Sequence, residues 1–180
     1  MKKLILLYIT TLSFIVFSQE TTMSNKTTVE DFGKTFTVKN PDLILSKDKV
    51  YKVIFDIYTD NKDKSKINPL LNTVARFINM HTATGVPLKN MKIVVIMHGK
   101  ATKDVLDTKA FLKKYKVKNP NNELLTALKN ANVETFVCGQ SYAHNKFKTK
   151  ELNKNVKMAL SALTVLVEYQ SEGYQLITFN

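Results

Sequence analysis

Five apolar residues in a row, Ile93-Val94-Val95-Ile96-Met97, sit inside the stretch Met91 to His98. A run with no polar face cannot lie on a surface. It reads as a strand buried on both sides, the usual state of a strand in a parallel sheet covered by helices. Two more runs have the same character, Val50 to Tyr58 and Val133 to Cys138. Between the first and second runs, Ile67 to Thr82 carries Leu71, Val74, Ile78 and His81 at helical spacing, and Gly85-Val86-Pro87 closes that helix. Gly99 opens a loop, and Thr102 to Tyr115 reads as one or two short helices. Asn119-Pro120 is a helix cap with proline behind it, and Leu124, Leu125, Leu128 and Ala131 form the buried stripe that follows.

The pattern continues to the end of the chain. Gln140 to Asn153 reads as short helical turns and Val156 to Leu160 as a short fourth strand. Ser161 caps a helix reaching Gln170, with Gly173 just past its end. Tyr174 to Phe179 is the fifth strand. Strands alternating with helices predict a mostly parallel five-stranded α/β sheet, helices on both faces and right-handed crossovers.

The chain divides into three parts. Residues 1–18 have the form of a secretory signal: Lys2 and Lys3, an apolar stretch from Leu4 to Phe17, and Val16-Phe17-Ser18 before a cleavage point at Gln19. The stretch is shorter than the roughly 20 residues that span a bilayer. No cysteine follows it to take a lipid, and no later segment is apolar enough to cross a membrane. The expected location is therefore outside the cytoplasm, periplasmic or secreted. Residues 19–49 read as a leader and arm. Gln19 to Phe32 is polar and expected to be mobile. Lys34 to Val38 is β-like and is expected to pack on the domain or on a neighbouring subunit. Residues 50–180 form the α/β domain.

The formal charge is +12, yet of 27 basic residues only Arg76 is arginine. Phosphate-reading surfaces lean on arginine for two-pronged contacts. Lysines scattered along the chain, denser only at Lys113 to Lys118, read as a solvated face. No nucleic-acid partner is expected. Gly99 and Gly139 stand alone, so a G-x-G-x-x-G dinucleotide loop is not supported. Three histidines and one cysteine without short spacing do not make a metal site, and no cofactor is expected.

Cys138 is the only cysteine, so it forms no disulfide within the chain. It ends an apolar run and is followed at once by Gly139-Gln140-Ser141, the signature of a strand stopping at a turn where a helix starts. Reactive groups of α/β proteins gather at that sheet edge. Backbone N–H groups and a helix N-terminus there favour thiolate over thiol. Cys138 is a sulfur nucleophile or a small apolar filler of a strand end. His98 ends its own strand at the same edge. It takes the thiol proton or steadies the thiolate as imidazolium, or it bonds to loop backbone. Gly139, Gln140 and Ser141 cradle a sulfur anion or cap a helix. His81 reads as a satisfied core or interface histidine and His144 as a surface residue. Arg76 pairs with an acid such as Asp56 or Asp60, or meets another subunit. Tyr58 and Asp60 end the first strand at the edge where a pocket wall would stand.

Three stretches together resemble the DsrE/DsrF-like family of small sulfur-handling proteins. They are Met91 to Gly99; Leu124-Leu125 through Val133-Glu134-Thr135-Phe136-Val137-Cys138; and Val156 through Gln170-Ser171-Glu172-Gly173-Tyr174. The resemblance covers roughly residues 50–180. It implies a three-layer α/β/α fold that assembles into trimers or hexamers. It also implies that a cysteine at the position of Cys138 accepts sulfur as a persulfide and passes it to a partner protein. That is carrier chemistry rather than turnover of a small substrate. The export signal and the added arm depart from the cytoplasmic members of the family. Two other readings remain beside the carrier: an oligomeric binding module with a structural cysteine, and a thiol-redox partner that forms mixed disulfides.

Overall fold

The computed structural model describes residues 22–24 and 27–179, so the signal at 1–18 lies outside the described residues. Five strands, β1 (Tyr51–Ile57), β2 (Met91–Met97), β3 (Glu134–Cys138), β4 (Lys157–Ala159) and β5 (Gln175–Ile177), form one sheet in the order β4-β3-β2-β1-β5. Every pairing is parallel. The helices are α1 (Pro69–Ala83), α2 (Thr108–Tyr115), α3 (Asn121–Asn130), α4 (Gly139–His144) and α5 (Ala162–Ser171). Where the sequence reads as a loop after Gly99, the chain winds into a 3-10 helix, Gly99–Val105.

Strand alternation sorts the core into two layers. Val53, Phe55, Ile57, Val95, Met97 and Val137 face α1 and α3, where Leu71, Val74, Ile78, Leu124 and Leu128 meet them. Ile54, Val94, Ile96 and Cys138 face the other way, toward Ala162 and Val165 of α5. Helices therefore cover both faces, as the unbroken apolar runs require.

The strand order follows from handedness. The chain steps from β1 to β4 in one direction, and a right-handed crossover keeps α1, α3 and α4 on one face. It then returns across the whole sheet from β4 to β5. The same hand puts α5 on the opposite face. The two connections that leave β3 and β4 thus diverge to opposite faces, and Cys138 pairs with Ala159 at that divergence. In open α/β sheets this is the crevice where ligands bind.

Ser161 caps α5 as its sequence suggests, whereas α3 starts one residue later than the Asn119-Pro120 pair implies, with Pro120 itself at the cap position. Asn68 Oδ1 accepts from the amides of Leu70 and Leu71, Ser161 Oγ accepts from Thr164 N, and Asn119 Oδ1 accepts from Asn121 N.

The reading of residues 19–32 as a mobile leader fails for 28–32. Asn79, fully buried in α1, receives the amides of Thr28 and Val29 on its Oδ1. Its Nδ2 donates to the carbonyls of Val29, Phe32 and Gly33. One helical side chain so replaces the backbone partners the segment lacks, and Val29 is buried against it. The β-like run at Lys34 to Val38 forms only an isolated antiparallel bridge, Met23 to Phe36. Arg76 meets this arm, donating from Nε to Lys34 O, and pairs with neither Asp56 nor Asp60.

Candidate functional site

Cys138 ends β3 and caps α4 with its own sulfur: Ser141 N donates to Sγ across 3.4 Å. The thiol is only 5% exposed. Burial pushes the thiol pKa up, but hydrogen bonds to sulfur outweigh it, and the net direction is down. The donors are the Ser141 hydroxyl and the backbone amides of Ser141, Ala162 and Gln140. Ala162 opens α5 while Gln140 and Ser141 lie in the first turn of α4. Of these the Ser141 N–H is in hydrogen-bond geometry, while Ala162 at the start of α5 packs beside Cys138 from the opposite face of the sheet. An amide so placed stabilises an anion.

Gly139 makes this convergence possible. A Cβ there would stand 2.6 Å from the carbonyl oxygen of Ala159. Only glycine lets the start of α4 lie so close to the end of β4. Gln140 acts through its backbone alone, since its side chain donates to Leu160 O. Ser141 acts through both its amide and its hydroxyl, and its Oγ also accepts the N–H of Gly99 at 3.3 Å. That leaves the hydroxyl hydrogen for the sulfur.

His98 lies just beyond β2. Its Nε2 bonds to Asp56 Oδ1 at 2.8 Å, and the pair is partly shielded from solvent. His98 is not among the hydrogen-bond partners of Cys138, and it bonds to a carboxylate rather than to loop backbone. The Tyr58 ring stands 6.0 Å from the His98 ring, so Tyr58 does flank the site. Asp60 serves elsewhere, in a cluster with Lys64 and Lys103. Lys103 also bonds to Asp104, whose other oxygen accepts from Asn68. Burial pushes the Asp104 carboxyl up; the bonds from Lys103 and Asn68 only partly offset it. This buried cluster holds the 3-10 helix that carries Gly99.

An open cleft of about 580 Å³ lies between the Gly99 turn and α4, lined by Gly99, Lys100, Gln140, Ser141, His144 and Asn145; Cys138 itself does not line it. His144 is a surface residue, as its sequence suggests, and it forms part of this wall. His81 lies outside the site: its Nδ1 bonds to Phe77 O and its ring packs on Phe77 and Tyr51. Among the described residues, no three His, Cys, Asp or Glu side chains come together to hold a metal ion. No helix among them is long and apolar enough to cross a membrane.

Sequence reasoning missed three contributors. Asp56 has a signal in strand parity, which places it on the face of Cys138. The amide of Ala162 has none, because its approach depends on strand order. Lys100 had no motif to mark it.

The DsrE/DsrF-like family model matches residues 52–179. No curated protein matches the chain. Among solved structures, the chain is similar to the protein of unknown function MTH1491 from Methanobacterium thermoautotrophicum. The TM-score is 0.51 at 18% identity, over 72% of this chain and 99% of that one. It is also similar to the YchN protein from E. coli, with a TM-score of 0.53 at 16% identity over the same shares. At these identities the likeness establishes the three-layer α/β fold and nothing about chemistry.

Proposed function

The chain belongs to the DsrE/DsrF-like family, and we propose that it is an exported sulfur carrier that accepts sulfane sulfur on Cys138 and passes it to a partner. The observation that carries this reading is the Ser141 N–H held on Cys138 Sγ at 3.4 Å at the end of a strand, on a thiol whose pKa lies below its ordinary value. A buried thiol kept only for packing needs no such donor. A thiolate needs it to offset its desolvation.

The chemistry is balanced within a pair of thiols. The Cys138 thiolate attacks the outer sulfur of a donor persulfide, R–S–SH. The donor S–S bond breaks, R–S⁻ leaves and takes a proton, and Cys138 holds the persulfide. An acceptor thiolate later repeats the attack on that outer sulfur and frees Cys138. The open cleft at Lys100 and His144, which reaches Gln140 and Ser141 next to Cys138 in the chain, is where a partner would approach. The reading includes self-assembly into trimers or hexamers. Leu160, Leu163 and Val167, exposed at 71%, 76% and 69%, support a subunit contact at the β4–α5 turn and on α5.

A second reading is favoured by one observation, the 5% exposure of Cys138. On that reading the thiol is structural and the protein is an oligomeric binding module. Intact mass of the mature protein after incubation with glutathione persulfide, beside Cys138→Ser, decides between them. The carrier gains one or more sulfur atoms on the native chain only, reversed by reductant. No gain, with the thiol inert to alkylation until unfolding, leaves the structural cysteine. A mixed disulfide with another envelope protein, lost under reductant, identifies a redox partner instead.

A further inference from the structure

Strand parity brings three side chains into one row. Ile54 of β1, Val94 and Ile96 of β2, and Cys138 of β3 all face α5. Asp56 and His98 have the same parity on β1 and just past β2. The parallel registers place Ile57 beside Met97 and Met97 beside Val137. His98 remains extended (φ −147°, ψ −175°) and its N–H donates to Ile57 O, so the pleat continues one residue further. The same register carried one residue on sets the His98 backbone beside that of Cys138, on strands that neighbour each other at about 4.8 Å. Asp56, opposite Ile96 and bonded diagonally to His98, then shares one sheet face with His98 and Cys138 on three neighbouring strands.

The Asp56 contact decides which nitrogen of His98 is free. Asp56 Oδ1 lies 2.8 Å from Nε2. A carboxylate only accepts, so Nε2 carries the hydrogen of the neutral ring and the lone pair is on Nδ1. Nδ1 has no hydrogen-bond partner among the described residues. A partly exposed contact of this kind adds little to stability. Its more specific consequence is the tautomer.

Resting on the carrier reading above, we infer that Asp56 is the positioning residue of the site, holding His98 in its Nε2–H form so that Nδ1 takes the proton of Cys138. The S–H bond breaks, its electron pair stays on sulfur, and the proton passes to Nδ1. The imidazolium so formed keeps its Nε2–H bond to the Asp56 carboxylate. The proton then leaves Nδ1 for the departing thiolate of the donor, which returns the ring to its starting tautomer. No oxidant or reductant enters the step.

Two measurements test this on the mature protein. The first is the ¹⁵N signals of the His98 ring in the native chain. The expected result is a protonated Nε2 and a bare Nδ1 in the neutral ring, with the Nδ1–H form appearing in Asp56→Asn. The second is the rate of sulfur gain from glutathione persulfide. Asp56→Asn and His98→Gln should each slow it on the order of tenfold or more, the range of a positioned acid–base group. The double variant should be no slower than His98→Gln, because Asp56 acts only through His98. A bare Nε2 in the native protein overturns the inference, as does a wild-type rate in Asp56→Asn or full additivity of the two substitutions. If Asp56→Asn fails to fold, the tautomer of the native chain still decides. If the native chain gains no sulfur, the carrier reading falls, and the ring signals alone report whether Asp56 sets the tautomer.

Discussion

The backbone N–H of Ser141 points at Cys138 Sγ across 3.4 Å, while the Ser141 hydroxyl oxygen takes the amide of Gly99 from the end of the neighbouring strand. One residue thus links the C-terminal ends of β2 and β3 and leaves its hydroxyl hydrogen for the sulfur. Replacing Ser141 by Ala keeps the amide and removes the hydroxyl. Hydrogen bonds to the sulfur hold the Cys138 thiol below its ordinary pKa in the native chain. In Ser141→Ala its titration midpoint should move up. The pH dependence of alkylation by iodoacetamide measures it, and an unchanged midpoint removes the hydroxyl from the site.

Gly139 is needed for its missing Cβ, which would lie 2.6 Å from Ala159 O. Backbone cannot yield as a flexible side chain can. Gly139→Ala should destabilise the fold by about 1–3 kcal/mol, the cost of forcing extra atoms into a packed site. Urea denaturation gives the value. A neutral result would show that β3 and β4 separate at this end without penalty.

Lys103 stands between two carboxylates, 3.0 Å from Asp60 Oδ2 and bonded to Asp104. Lys103→Met leaves both acids shielded from water with one fewer cation. A loss of about 3–5 kcal/mol is expected, as for removal of one partner from a buried charge cluster. Replacing Asp60 and Asp104 by Asn in the same chain should recover part of it. If the triple variant is no more stable than Lys103→Met, the charges are not the cause.

Asn79 ties the arm to α1 through five hydrogen bonds. Asn79→Ala leaves those arm groups without partners, at a cost of about 1–3 kcal/mol for each one that stays buried. The arm relieves the cost by lifting off. Hydrogen exchange over residues 28–33 should rise while β1 to β3 keep their protection. Equal loosening of the central strands would mean that the arm supports the core.

Much of the domain is legible in one dimension because its signals are local. The unbroken run at Ile93 to Met97 requires burial on both faces. Leu71, Val74 and Ile78 require a helix packed on one side, and Ser161 marks a helix start with its own side chain. Residues 28–32 misled because their polar composition hides their partner. The side chain that satisfies them, Asn79, lies about fifty residues away in sequence.

The site divides along the same line. Local sequence determined that Cys138 ends a strand and meets the amides of the next turn, because a strand followed by Gly139-Gln140-Ser141 has nowhere else to aim them. Strand alternation places Asp56, His98 and Cys138 on one face, but only the order β4-β3-β2-β1-β5 makes β1, β2 and β3 neighbours, so that the row exists. Only that order sends the β4 connection back across the opposite face, where Ala162 at the start of α5 packs beside the same residue. The physical reason is range. Periodicity and capping act within a few residues, whereas the direction of a crossover is set by the handedness of connections spanning the whole sheet.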